Sequence, residues 1–405
     1  MPALSFGRRA VTALTPGLFL ALALLSATGP FASDLYLPSF PEIGRDFSAG
    51  ATGVQLTLTA FLLGMAAGQL LFGPLSDKYG RYRPLLIGSA GFVAASVAAA
   101  LAPNLAVLIG ARLVQGLCSS AGVVIARAAI SDLTHGPQAA RTFSLLMTIG
   151  GVAPVVAPTA GGLLATTVGW HGVLWVLAGL ALVMFACVVF VLGETRPPEQ
   201  RSQGSPFAGL REVLRSRRFL GYALLFASTF GVLMSYISAS SFIYQNLIGF
   251  TAAQYGFAFG LNALGLVATG YISSRLARRI PPRRTVAVAV PVLLAASATV
   301  LALALSPAPP LLLAVAIFCA VAVIGFIMGN TTALALDEVR HTSGSGSAVL
   351  GGGQFFMGAL VSPLTGLAGE TSAVPLGIVM TCAALLAGAA LAATRSRPDS
   401  GNSRT

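Results

Sequence analysis

Two charged residues, one acid and one base, interrupt long apolar stretches of this chain. Asp34 lies in the run FASDLYLPSFP, and Arg112 lies in LIGARLVQG. Apolar surroundings favour a protonated carboxyl group, whereas a nearby arginine favours the carboxylate. An Asp34 that approaches Arg112 in only one state would therefore bind and release a proton. We interpret the two as a proton-coupling pair; Gln115 is an alternative partner for Arg112, and Asp34 is alternatively an attraction point for cationic compounds.

A second group of charges follows in the run GPLSDKYGRYR. Gly80 lets the chain turn back tightly, so that Asp77 can face the positive N-terminal end of a neighbouring helix. We expect that helix to begin near 345–348, where a glycine- and serine-rich start leaves backbone N–H groups free. Arg81 can pair with Asp132, an acid at the end of a later apolar stretch. The expected cluster, which we call the latch, comprises Gly73, Asp77, Gly80, Arg81 and Asp132.

Composition indicates what kind of scaffold must position these residues. Hydrophobic residues make up 56% of the 405-residue chain and charged residues 9%, against about 25% charged in a typical globular domain. Lipid must therefore be the solvent for most of the chain. The net charge of +12 comes from arginines in short runs between apolar stretches. That pattern is typical of membrane topology and not of a basic, aromatic-rich nucleic-acid-binding face.

The sequence offers little for enzymatic chemistry. His135, His171 and His341 are isolated from one another, and the cysteines lie in apolar stretches without metal-ligand spacing. No phosphate-binding loop with its Gly-Lys-Ser/Thr ending exists, which excludes ATP-driven transport by this chain alone. Nothing resembles the selectivity filter of a channel. We therefore expect no enzyme activity, no metal and no cofactor.

Twelve apolar stretches are long enough for helices that span a bilayer, which requires about 20 residues each. They lie near 16–37, 52–74, 84–103, 105–128, 140–164, 170–193, 219–241, 252–274, 285–305, 310–333, 346–368 and 372–393. We expect the first stretch to be a span and not a cleaved signal peptide. The sequence predicts an all-α integral membrane protein with an N-terminal six-helix half at 1–195, a cytoplasmic linker at 196–218 and a C-terminal six-helix half at 219–405.

The basic residues predict the orientation. With the N-terminus inside, 22 of the 24 lysines and arginines lie at the inner face, all but Arg45 outside and Arg112 within a span. The positive-inside rule then places both termini in the cytoplasm. Arg112 lies roughly 10 Å from the outer end of its span at 1.5 Å per residue, close to the depth of Asp34. Each residue has an alternative interpretation. The Arg112 side chain can extend to the membrane interface, and the Asp34 carboxylate can lie in water on the outer side.

The inner loops of the two halves resemble each other. The run GYISSRLARRI, which begins at Gly270, carries a glycine and two basic residues at the offsets found in GPLSDKYGRYR. Ser274 stands where the first loop has Asp77. This repeated pattern indicates that the two halves arose by duplication, as in six-plus-six transporters whose site lies between the halves.

The latch run resembles the signature loop of the major facilitator superfamily. That resemblance implies a latch that closes the cytoplasmic side, although Tyr82 stands where the family usually has a basic residue, which leaves the role of Arg83 open. The Arg-x-x-Gln-Gly sequence from Arg112 to Gly116 resembles a motif of this family that is linked to proton transfer. The major facilitator fold, with twelve helices in two halves, is the expectation that follows.

A third run, APVVAPTAGG, resembles the antiporter motif of this superfamily and favours export by exchange over uptake. Ala153 and Ala157 stand where glycine is commoner, and plain helix packing is the alternative interpretation. The residues expected to carry the motif are Pro154, Pro158, Gly161 and Gly162. The runs DLYLP, WHGVLW and SYISASSFIYQ, with Gln69 and Glu194-Thr195, resemble the bicyclomycin- and chloramphenicol-resistance branch of drug/proton antiporters.

The function that the resemblance implies is proton-coupled export of drug-like amphipathic molecules by alternating access. The alternative is export of an endogenous metabolite, such as an amino acid or a sugar, by the same machinery. The expected partners are a small-molecule substrate, protons and membrane lipid, without nucleic acid, for a monomer in the bacterial inner membrane. Candidate cavity residues are the polar and aromatic ones within spans: Tyr36, Gln55, Gln115, Tyr236, Tyr244, Gln245, Asn262, Asn330, Gln354 and Phe355. Each of them is alternatively a residue that holds helices together.

Overall fold

The computed structural model describes residues 13–134, 136–197, 199, 201 and 208–394. Both chain termini, whose cytoplasmic location the sequence predicts, lie outside the described residues. The described part folds into helices: α1 (Pro16–Ser26), α2 (Thr28–Asp34), α3 (Phe40–Asp46), α4 (Ala51–Tyr79), α5 (Tyr82–Ala100), α6 (Leu105–Leu133), α7 (Gly136–Phe190), α8 (Ala208–Val213), α9 (Arg217–Phe242), α10 (Ala252–Leu276), α11 (Pro282–Ala304), α12 (Pro310–Asp337), α13 (Ser343–Val361) and α14 (Val374–Ala393).

Eleven of the described segments are long and apolar enough to cross a membrane. One of them contains two spans, because α7 is interrupted at Gly169, whose φ of 65° and ψ of 180° are not helical. Counting the two parts of α7 separately gives the twelve spans predicted from the sequence. The all-α membrane fold is therefore confirmed.

The chain divides into two compact units. One contains residues 1–207 together with 249–261, and the other contains 208–248 and 262–405. Residues 249–261 include the first part of α10, which the sequence assigned to the C-terminal half. They group with the first unit because Gly256 lies so close to α7 that a Cβ atom there would sit 2.6 Å from the carbonyl oxygen of Pro158.

Small residues bring α4 and α6 into backbone contact. A Cβ atom at Gly64 would lie 2.6 Å from the backbone nitrogen of Leu117, and one at Gly116 would lie 2.7 Å from the carbonyl carbon of Phe61. Such close approach is the usual role of small residues between spanning helices. It places the side chain of Phe61 beside the α6 turn that carries Arg112.

Candidate functional site

Arg112 is enclosed within the N-terminal unit. Its side chain has no exposure to solvent, and its guanidinium carbon lies 4.1 Å from the ring centre of Tyr36 and 4.4 Å from that of Phe61. Aromatic faces attract cations, most strongly where water is excluded. Both rings therefore stabilise the buried charge in the absence of a carboxylate.

The hydrogen bonds of Arg112 are incomplete. Nη1 donates to Oε1 of Gln115, one turn along α6, and Nε2 of Gln115 donates to Ser96 at 2.8 Å. Nε and Nη2 of Arg112 have no hydrogen-bond partner within the described protein. A buried guanidinium with unused donors is costly, so this arrangement favours any state that brings an acceptor to Arg112.

Asp34 is the acid that the sequence predicts to be such an acceptor for Arg112. It ends α2 with 4% exposure, and its Oδ1 accepts a 2.6 Å hydrogen bond from Ser33. The ion pairs within 4 Å among the described residues do not include one between Asp34 and Arg112. In this conformation Gln115, and not Asp34, is the hydrogen-bond partner of Arg112.

Further contacts fix the segment that follows Asp34. Past Asp34 the chain makes a short helical turn, in which the hydroxyl group of Tyr36 lies 3.0 Å from that of Thr57. The chain then enters α3. Trp170, which follows the break in α7, donates a 2.6 Å hydrogen bond to Asp46 at the end of α3. Its ring also packs edge-on against Phe47, with the ring centres 5.3 Å apart.

The latch residues meet at the opposite end of the same unit. Arg81 contacts Asp77 at 2.7 Å and Asp132 at 2.9 Å, and it is 5% exposed. Burial lowers the pKa of Arg81, but the hydrogen bonds and charges of Asp132 and Asp77 outweigh burial, so the net pKa is raised above its ordinary value. The guanidinium therefore stays charged. The approach of Asp77 to 345–348 remains a prediction.

Residues directly after α7 complete the latch, and sequence reasoning missed them. The carboxylate of Glu194 accepts hydrogen bonds from the backbone nitrogens of Arg81, at 2.8 Å, and Tyr82, at 3.4 Å. It thereby caps the N-terminus of α5, where negative charge is favoured. Arg196 contacts Asp77 at 2.6 Å. The signal available in the sequence was an acid and an arginine immediately after the sixth span.

The two latch glycines have different surroundings. Gly80 has a φ of 87°, which disfavours other residues, and a Cβ atom there would collide with the carboxylate of Glu194. A Cβ atom at Gly73 would meet only Val124, at 3.8 Å. The structure therefore explains glycine at position 80 and gives no steric reason for glycine at position 73.

The proposed antiporter motif is a packing surface on α7. A Cβ atom at Gly161 would collide with the carbonyl oxygen of Leu35, and one at Gly162 would collide with that of Ala252. Helix α7 continues through both Pro154 and Pro158. The motif therefore packs directly against Leu35, the residue after Asp34.

The candidate cavity residues of the C-terminal unit form neutral hydrogen bonds and ring contacts. Asn262 donates to the hydroxyl group of Tyr244 at 3.3 Å, and Asn330 donates to Ser273 at 2.8 Å. Phe355 packs edge-on against Phe230, with the ring centres 5.5 Å apart. Of the other candidates in this unit, Tyr236 is buried, whereas Gln245 and Gln354 are partly exposed. Gln55, in the N-terminal unit, is buried.

The sequence offers Gln115 both as a cavity residue and as a partner of Arg112, and in this structure it contacts Arg112. Both ends of its amide are engaged, by Arg112 and by Ser96. The physical reason is its spacing of three residues from Arg112, which places the two side chains on one face of α6. In this structure Gln115 therefore orients Arg112.

Comparisons with known proteins agree with this architecture. The chain is 38% identical over 370 residues to an uncharacterized transporter of Bacillus subtilis named YdgK, covering 90% of this chain and 92% of that one. It is 29% identical to a bicyclomycin resistance protein homolog of Haemophilus influenzae, covering 89% and 92%. It is also 29% identical to the multidrug resistance protein MdtL of Escherichia fergusonii, covering 82% and 83%.

Solved structures share the fold. The nucleoside transporter NupG superposes with a TM-score of 0.72 at 13% identity, covering 93% of this chain and 99% of that one. The xylose transporter XylE of E. coli gives 0.71 at 12% identity, covering 91% and 96%. The model of the Major Facilitator Superfamily matches residues 20–363. The chain is therefore a multi-pass membrane transporter that belongs to the major facilitator superfamily.

Proposed function

We propose that this protein exports drug-like amphipathic small molecules in exchange for protons, by alternating access. The observation that carries the proposal is the enclosed pair of Asp34 and Arg112 in the first and fourth spans. Relatives that cover most of the chain are named for bicyclomycin and multidrug resistance, which supports drugs over sugars or nucleosides as the substrate class.

Proton coupling follows from the unused donors of Arg112. When Asp34 is protonated, it has no charge to offer, and Arg112 keeps its contacts with Gln115 and the two aromatic rings. When Asp34 loses its proton, the carboxylate is attracted to the buried guanidinium. The proton and the substrate favour opposite arrangements of this region. Each transport cycle therefore exchanges one for the other.

To test this proposal, the protein is expressed in a bacterium that lacks its own drug pumps. Cells with the wild-type protein should exclude a panel of amphipathic drugs, and a protonophore should abolish that exclusion. Asp34→Asn should remove it, whereas Asp337→Asn, which changes an exposed acid at the end of α12, should retain it. No change in any drug tolerance would contradict drug export and favour the export of an endogenous metabolite.

We further propose that the protein lies in the bacterial inner membrane with the α8 side in the cytoplasm. The arginine distribution along the sequence supports this orientation. A cysteine introduced as Arg45→Cys into a cysteine-free background should react with an impermeant reagent in whole cells. Arg215→Cys should react only after the cells are opened, and the reverse pattern would contradict the orientation.

A further inference from the structure

The connection between α10 and α11 concentrates positive charge without neutralising it. Five arginines fall within ten residues, and all five are exposed: Arg275, Arg278, Arg279, Arg283 and Arg284. None of them forms an ion pair with a carboxylate in the part of the chain that the structure describes. We call this group the arginine cluster.

The equivalent loop between α4 and α5 shows that positive charge at this place need not be left unpaired. There Arg81 is neutralised by Asp77 and Asp132. In the second loop Ser274 stands where the first has Asp77, so the internal acid is missing. Topology alone requires basic residues on this side, but it does not require the loss of their acidic partners.

The arginine cluster has the features of a phosphate-binding surface. A guanidinium group presents paired donors that match phosphate oxygens. The N-terminus of α11 begins at Pro282, and its first backbone N–H groups add positive potential at the same place. The guanidinium of Arg275 lies 5.0 Å from the ring centre of Tyr271 and hydrogen-bonds to its hydroxyl group. That contact fixes one arginine of the cluster against an exposed aromatic ring.

Apolar side chains beside the cluster distinguish a lipid from a free phosphate ion. Ile272 is 52% exposed and lies one turn before Arg275; Val288 is 68% exposed and lies one turn after Arg284. An anionic headgroup on the arginines would place its acyl chains along these two residues. We propose that the arginine cluster binds the phosphate of an anionic phospholipid at the membrane surface where this loop lies.

Lipid binding to the purified, full-length protein tests this proposal. Native mass spectrometry measures the affinity for phosphatidylglycerol and, separately, for phosphatidylcholine. The test variant is Arg278→Gln/Arg279→Gln/Arg284→Gln, whose arginines make no side-chain hydrogen bond in the described protein. The control is Arg211→Gln/Arg215→Gln/Arg217→Gln, which removes the same charge from α8, the start of α9 and the connection between them.

Each arginine near an anionic surface contributes about 1 kcal/mol. The test variant should therefore bind phosphatidylglycerol about a hundredfold more weakly, while the control retains wild-type affinity. Inorganic phosphate in excess should not displace the lipid. Equal losses in both variants, no loss in the test variant, equal binding of phosphatidylcholine, or displacement by phosphate would each overturn the proposal. None of these outcomes bears on drug export, because the measurement involves no transport.

Discussion

The two units handle charge in opposite ways. In the N-terminal unit, Asp34 and Arg112 are buried within spans, and Arg81 is buried between two acids. In the described residues 208–394, every charged residue lies at a helix end or in a connection. The polar residues within those spans are hydroxyls and amides such as Asn262 and Asn330. Under the proposed function, the first unit carries the proton-coupling residues, and the second contributes neutral hydrogen bonds to substrate recognition.

The largest expected effect comes from removing either member of the coupling pair. Asp34→Asn keeps the size of the side chain but removes the proton that it exchanges, and Arg112→Ala removes the charge that attracts the carboxylate. Each should abolish efflux driven by an imposed pH gradient in membrane vesicles, and substrate binding should survive in at least one. Wild-type transport of a neutral substrate by Asp34→Asn, with unchanged pH dependence, would place coupling elsewhere.

The next effect concerns the stability of the latch. Arg81→Ala leaves the carboxylate of Asp132, whose side chain is 17% exposed, without its charged partner. Breaking a buried pair from one side costs about 3 kcal/mol, so the free energy of unfolding in detergent should fall by that order. Arg340→Ala, which breaks the exposed pair with Asp337, should change it by less than about 1 kcal/mol. Equal effects of the two variants would show that the latch is not a buried network.

Within the latch, replacement of Asp77 should affect transport without affecting stability. Its side chain is 44% exposed, so Asp77→Asn should leave expression and unfolding close to wild type. Transport should nevertheless be impaired, because the contacts with Arg81 and Arg196 lose their charge. Measurement of efflux per expressed molecule checks this, and full activity would contradict a role for Asp77 in closing the inner side.

A smaller effect is expected from the neutral polar groups of the C-terminal unit. Tyr244→Phe removes the hydroxyl group that Asn262 contacts, which is worth about 1 kcal/mol. Individual drug affinities should shift about fivefold, and the number of protons exchanged per substrate should stay constant. Tyr271→Phe, at an exposed position of α10, serves as the control for drug affinity. A changed proton stoichiometry in Tyr244→Phe would break the division of labour between the two units.

The smallest effect concerns the hydrogen bond between Trp170 and Asp46. Trp170→Phe keeps a ring against Phe47 but removes the N–H donor, so unfolding should become easier by about 1 kcal/mol. Asp46→Asn keeps an oxygen acceptor and should retain most of that stability, whereas Asp46→Ala should not. If all three variants unfold like the wild type, this hydrogen bond contributes nothing to stability.

Local patterns in the sequence were sufficient to predict the spans and the meeting of Asp77, Arg81 and Asp132, because apolar length and fixed spacing are local signals. The contacts of Glu194 were not predictable in this way, since it lies 113 residues from the backbone nitrogen that it caps. Phe61 reaches Arg112 because helices α4 and α6 approach each other through Gly64 and Gly116, and Tyr36 reaches it from the turn after α2. That approach depends on three-dimensional packing, which single-residue types do not reveal.

The measurement that tests the account most directly is proton release by the purified protein in weakly buffered detergent solution. Addition of a drug that the wild-type protein exports should release protons, because substrate and proton favour opposite arrangements around Asp34. Asp34→Asn should bind the same drug and release none, whereas Asp337→Asn should behave like the wild type. Undiminished proton release from Asp34→Asn would contradict the assignment of Asp34 as the coupling residue.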